Sequence, residues 1–108
     1  MADKTVPWGY LSVWEFLVPS AQAQRFEQIY GPDGAWAQLF RSSAEYVGTE
    51  LIRDANNPER YITLDYWKAE GGFERFRAEH SSAYATRDAN CEQLTTKETK
   101  LGGFRRAG

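Results

Sequence analysis

His80 is the single histidine of this 108-residue chain, and so the one side chain whose unperturbed pKa lies near neutrality. An imidazole there could accept a proton from a bound molecule and return it later in a reaction. It could equally be a partly exposed residue at a helix end, favourable to the helix dipole. Glu15 is a second candidate, set in the apolar run Val13-Trp14-Glu15-Phe16-Leu17. A carboxylate in such a run must be paired or carry a raised pKa, and a raised pKa suits acid–base work. The plainer reading, an ion pair with Arg53 or Arg25, is the one favoured. Tyr30, Tyr66 and Tyr84 could hydrogen-bond a small ligand or serve as core rings with satisfied hydroxyls.

Other chemistries are excluded by counting. Cys91 is the only cysteine, so no intrachain disulfide forms, and on a helical stripe it reads as a small buried hydrophobe. One histidine and one cysteine cannot supply a zinc or non-haem iron site built on several imidazoles or thiolates within one chain. Gly31-Pro32-Asp33-Gly34 lacks the Lys and Ser/Thr of a phosphate cradle and reads as a turn, with Asp33 as a local cap. The net charge is -2 with the signs interspersed, whereas a nucleic-acid surface needs a basic stripe. No apolar run reaches membrane-spanning length, and Met1-Ala2-Asp3-Lys4 opens no signal-peptide pattern. The expectation is a cytoplasmic protein with no nucleic-acid or membrane partner.

The elements that must position these residues follow from periodicity. Arg60 to Trp67 alternates as a strand, with Ile62, Leu64 and Tyr66 on one face and Tyr61, Thr63, Asp65 and Trp67 on the other. From Ala69 to His80 the period becomes helical, with Phe73, Phe76 and His80 on one stripe. Gly71-Gly72 early in that helix costs roughly 1 kcal/mol per glycine, which implies either close packing or a late helix start. Gly9 to Val18 predicts a strand apolar on both faces, ended by Pro19. Ser20 is a plausible N-cap for a helix burying Ala23, Phe26, Ile29 and Tyr30. A short helix over Ala35 to Ser42 presents Trp36, Leu39 and Phe40.

A strand follows from Tyr46 to Arg53, with Val47, Thr49 and Leu51 on one face and Tyr46, Glu50 and Ile52 on the other. A further helix runs from about Ala83 to Leu94, and a last strand from Thr95 to Phe104. Residues 1 to 8 read as a short arm. The order is that of an α+β, ferredoxin-like βαββαβ domain spanning residues 1–108 with an ordered core over about 9–104. Its four-stranded antiparallel sheet carries helices on one face. The helices can cover only that face, yet the first and third strands are apolar on both. Face-to-face pairing in a homodimer would bury the remainder.

The chain resembles the antibiotic biosynthesis monooxygenase-like members of the dimeric α/β-barrel superfamily over nearly its whole length. The resemblance is carried by Val13-Trp14-Glu15-Phe16, by Tyr30-Gly31-Pro32-Asp33-Gly34-Ala35-Trp36 with Leu39-Phe40, by Tyr46-Val47-Gly48-Thr49-Glu50-Leu51, and by Tyr61 to Trp67 followed by Phe73 and Phe76. It implies a dimeric α/β barrel with a cavity between sheet and helices in each subunit. It also implies oxidation of an aromatic or polyketide-like substrate with no metal, flavin or other cofactor. A tryptophan at the Trp67 position contributes to the pocket in that group. The histidine frequent in the following helix falls at Phe76 here, with His80 one turn later. In the haem-degrading branch an Asn is expected on the first strand, where this chain has none, and Phe76 and Thr86 stand where its Trp and His would be. On these grounds His80, Trp67 and Tyr84 are the catalytic candidates. Trp14, Phe40, Phe76, Tyr30 and Glu15 are the substrate-binding ones. The competing reading is a non-enzymatic barrel that binds a small apolar ligand in a stress or accessory role.

Overall fold

The computed structural model describes residues 8–108, with the side chains of Asn90 and Glu92 left aside; most of the expected N-terminal arm lies outside those residues. Strand β1 (Tyr10–Leu17) leads through a 3-10 turn at Ser20–Gln22 into helix α1 (Ala23–Tyr30) and helix α2 (Ala35–Phe40). Strands β2 (Tyr46–Arg53) and β3 (Arg60–Trp67) form a hairpin, followed by helices α3 (Glu70–Glu79) and α4 (Ser81–Cys91). A 3-10 turn at Glu92–Leu94 then leads to strand β4 (Lys97–Arg105). The sheet order is β2-β3-β1-β4 with every neighbouring pair antiparallel, the ferredoxin-like α+β arrangement expected from the periodicity.

Alternation decides which side chains meet the helices. Tyr10, Ser12, Trp14 and Phe16 of β1 and Tyr61, Thr63, Asp65 and Trp67 of β3 face the helices, all but Trp14 and Asp65 of them buried, and the alternate positions turn to the other face. The core is built mainly from rings. Phe26 stacks on Tyr30 with centroids 4.3 Å apart, and both lie against Phe16. Trp67, fully buried, meets Phe40 edge-on at 5.5 Å and also touches Phe73 and Phe76. Each such side chain contributes roughly 1.5–3 kcal/mol by leaving water, so a few rings account for much of the cohesion of a small domain.

Three local expectations are revised. Ser20 caps nothing by its side chain; its hydroxyl donates to Glu59 at 3.3 Å, and Pro19 precedes the turn. Gly72 is settled as close packing, since α3 starts at Glu70 and a Cβ at Gly72 would lie 2.5 Å from the Glu45 side chain. Strand β2 does not alternate throughout. Its pairing with β3 shifts between Tyr46 and Gly48, a β-bulge that adds one residue at Val47. Tyr46 therefore turns to the same face as Thr49 and Leu51, where it packs on Phe40 and Trp67. A second irregularity lies in β4, where Gly102 pairs with Val13 and Lys100 with Trp14, leaving Leu101 extra. Gly102 has φ 154°, a conformation that side-chain-bearing residues rarely adopt.

Candidate active site

Between the inner face of the sheet and helices α2, α3 and α4 lies a cavity of about 300 Å³. Trp14 and Phe16 on β1, Tyr30 on α1, Trp36 and Phe40 on α2, and Tyr84 on α4 form its aromatic wall. Thr63 and Asp65 on β3, Arg77 and Ser81 at the helices, and Asp88 and Glu98 supply its polar groups. A mostly aromatic hollow with a few convergent polar atoms is the usual form of a small-molecule site.

Asp65 is the chemically distinctive group. Strand parity aims it inward, between Thr63 and Trp67, at a position that would ordinarily hold an apolar side chain. Burial disfavours its charge and pushes its pKa up to about 6, against the opposing effect of a hydrogen bond donated by Thr49 at 2.6 Å. Near neutral pH it is a carboxylate able to take a proton, and its conjugate acid is strong enough to return one. Burial also raises Tyr84, with the Arg77 guanidinium, 4.2 Å above its ring, pulling the other way. Burial raises Tyr30 as well, so that its hydroxyl stays protonated at neutral pH. Trp36 Nε1 is buried with no hydrogen-bond partner among the described residues.

The residues singled out from sequence divide between two places and the wall itself. Trp14, Tyr30, Phe40 and Tyr84 do line the cavity. His80 does not. It closes α3, where its ring stacks on Phe76 with centroids 4.4 Å apart and Nδ1 lies 3.2 Å from the Phe76 carbonyl. Trp67 and Phe76 are fully buried in the layer behind Phe40, outside the lining. Trp67 Nε1 is buried there with no hydrogen-bond partner among the described residues. Glu15 lies on the opposite face of the sheet, where it accepts a 2.5 Å hydrogen bond from Arg60 rather than from Arg53 or Arg25. The reason is parity: Glu15 is one residue out of step with Trp14 and Phe16.

Sequence reading missed Asp65, Arg77, Asp88 and Glu98 as cavity groups. Only Asp65 left a legible signal, an acid at the inward parity of a strand otherwise lined by Tyr61, Thr63 and Trp67. Among the described residues, no three His, Cys, Asp or Glu side chains converge on a point that could hold a metal ion. No helix of the described residues is long and apolar enough to cross a membrane.

The sequence matches no family profile, and no curated protein resembles it in sequence. Solved structures do resemble it in shape. A single-site variant of SnoaB, a cofactor-independent oxygenase from Streptomyces nogalater, superposes with a TM-score of 0.70 at 22% identity, covering 92% of this chain and 93% of that one. A protein from Deinococcus radiodurans classed with the antibiotic biosynthesis monooxygenases gives 0.68 at 18% identity, covering 92% of each chain. A conserved protein from Methanosarcina mazei gives 0.69 at 17% identity, covering 94% and 96%. By its sheet order, its helices and these neighbours, the chain has the fold of the antibiotic biosynthesis monooxygenase-like proteins.

Proposed function

We propose that this protein is a cofactor-independent oxygenase that oxidises an aromatic, polyketide-like phenol inside the cavity of Trp14, Phe40, Tyr84 and Asp65. The observation that carries the reading is Asp65, a carboxylate with a pKa raised to about 6 by burial, in the wall of an otherwise aromatic hollow. The Asp65 carboxylate removes a proton from the bound phenol or its keto tautomer. The resulting electron-rich anion gives one electron to O₂, and the radical pair combines to form a carbon–peroxide bond. Loss of the remaining hydrogen from that carbon as the O–O bond breaks leaves a carbonyl on the substrate, and that hydrogen and the proton held by Asp65 depart with the second oxygen as water. One O₂ is consumed and one water formed per quinone produced. The protein's contribution is to deprotonate, to orient the ring against the aromatic wall, and to exclude bulk water.

The polar groups limit the substrate further. Three carboxylates, of Asp65, Asp88 and Glu98, face the hollow against the one guanidinium of Arg77. Such a lining favours a neutral ligand rich in hydroxyl donors over an anionic one. The outer sheet face supports a homodimer. It carries Leu11, Leu17, Ile62 and Leu64, with Ile52 51% exposed and Phe104 49% exposed. A second copy of this chain, packed on that face, would remove the apolar surface from water.

A non-enzymatic carrier is the second reading, favoured by the hydrogen bond from Thr49 that already satisfies Asp65 Oδ1. Oxygen uptake by metal-free protein with anthrone distinguishes the two. The oxygenase reading expects uptake that falls about 100-fold or more in Asp65→Asn, the usual range for loss of a general base. Uptake unchanged in Asp65→Asn overturns the role of Asp65. Anthrone binding without any uptake overturns oxygenation and favours the carrier.

A further inference from the structure

Next to Asp65, two hydroxyls stand in series. Thr49 Oγ1 donates to Asp65 Oδ1 at 2.6 Å, and the Tyr46 hydroxyl lies 2.6 Å from the same Thr49 oxygen. Thr49 has a single hydroxyl hydrogen, already committed to Asp65, so Tyr46 must be the donor in the second bond. The direction is therefore Tyr46 to Thr49 to Asp65. Both hydroxyl-bearing residues also line a second, polar cleft of about 300 Å³ beside Pro32, Asp33 and Arg41.

This chain exists only because of the bulge at Val47. Residues three apart on a regular strand point to opposite faces, so Tyr46 and Thr49 would ordinarily diverge. The extra residue brings both to the inner face, and cross-strand pairing sets Thr49 directly opposite Asp65. Bulges that re-aim a side chain beside a site are a recurrent device.

We propose that Thr49 and Tyr46 are positioning residues that hold Asp65 as an oriented carboxylate and link it by hydroxyl-to-hydroxyl transfer to the polar cleft. The inference rests on the reading of Asp65 as the cavity's proton acceptor. When a ligand closes over protonated Asp65, the two hydroxyls turn so that Asp65 donates to Thr49, Thr49 to Tyr46 and Tyr46 to water in the cleft. The Asp65 proton then passes to Thr49 Oγ1 as the Thr49 hydrogen moves to Tyr46 and the Tyr46 hydrogen to that water. The transfer itself leaves the hydroxyls pointing from Tyr46 to Thr49 to Asp65, with no net change besides one proton delivered to solvent before turnover. Asp65 can thus re-ionise while a ligand fills the aromatic side. The other titratable groups around it are Arg77 on α3, Tyr84 and Asp88 on α4, and Glu98 on β4. None of these donates a hydrogen bond to its carboxylate in the described structure.

Carbon-13 NMR titration of the Asp65 carboxyl tests this without requiring turnover, in intact protein carrying Thr49→Val, Thr49→Ser or Tyr46→Phe. Thr49→Val removes the donor and should move the midpoint up by about one pH unit. Tyr46→Phe leaves the first bond in place and should move it up by less, and Thr49→Ser should restore the wild-type midpoint. The acid limb of kcat/KM with anthrone should shift in parallel. A midpoint that stays put in both Thr49→Val and Tyr46→Phe overturns the proposal; where Thr49→Val fails to fold, Tyr46→Phe decides alone. If the midpoints move while Asp65→Asn retains full oxygen uptake, the hydroxyl chain stands and the catalytic reading of Asp65 falls.

Discussion

Arg60 reaches across the outer face of the sheet to hold Glu15 at 2.5 Å, and the same guanidinium contacts Asp54 at 3.2 Å. The pair lies one strand thickness from the cavity and on its far side. A carboxylate expected from the sequence to be ion-paired, or else to bind substrate, is thereby tied to the surface proposed to meet a second subunit. The Asn56 backbone N–H and Arg60 hold Asp54 below the usual carboxylate range. Its stabilising contribution is present above pH 4 and is lost as pH falls through its folded value. Acid unfolding followed by circular dichroism should therefore begin at higher pH in Asp54→Asn than in the wild type.

Asp65 has the opposite sign. Its folded pKa, about 6, exceeds the unfolded value of 3.8, so the folded state binds the proton more tightly. Stability from this group is greatest below pH 4, declines between pH 4 and 6, and reaches its full cost above pH 6. Asp65→Asn should raise stability at pH 8 by up to about 3 kcal/mol and leave it nearly unchanged at pH 3.5. Urea unfolding at the two pH values checks the difference. A more stable protein with less activity is the pattern expected of a strained catalytic group.

Leu64 stands in the middle of the outer face, paired across the sheet with Val13 and Glu50. The proposed dimer predicts that the wild type sediments as a dimer at micromolar concentration and that Leu64→Glu sediments as a monomer. A buried, unpaired carboxylate in the interface would cost several kcal/mol. Sedimentation equilibrium is the measurement, and a wild-type monomer would remove the paired-sheet architecture.

The charge of the lining predicts ligand selectivity. A carboxylated anthraquinone should bind about tenfold more weakly than its neutral parent at low salt, with the gap narrowing at high salt. Quenching of Trp14 and Trp36 fluorescence reports both affinities.

Trp67 predicts stability more than binding. Trp67→Phe leaves a void in the layer behind Phe40 but also removes a buried N–H that has no partner. The two effects oppose, for a net loss of about 1–2 kcal/mol with ligand affinity changed by less than about threefold. Denaturation and fluorescence titration of the same variant separate them.

The two hairpin strands were legible to the residue, because Tyr46 to Arg53 and Arg60 to Trp67 are β-rich runs bounded by a Pro/Asn loop. The aromatic wall was partly legible, since Trp14, Tyr30, Phe40 and Tyr84 have types and spacings that face a core. The proposed acid–base centre was not. His80 attracts notice through its intrinsic pKa, whereas Asp65 acquires its own through burial, which only the assembled fold provides. Tyr46 was placed on the wrong face of its strand because a bulge leaves no mark in Tyr46-Val47-Gly48-Thr49; Gly48 does not even take a positive φ.

Gly72 has a bearing on all of this that goes beyond its own helix. Where α3 crosses Glu45, the helix backbone lies against that side chain at a separation that a single methyl group would forbid. The height of α3 above the sheet is thus set by a missing atom, and Arg77, further along the same rod, inherits that height at the cavity. Adding the methyl would jack up one end of the helix, tip the guanidinium away from Tyr84, and change the size of molecule the hollow admits.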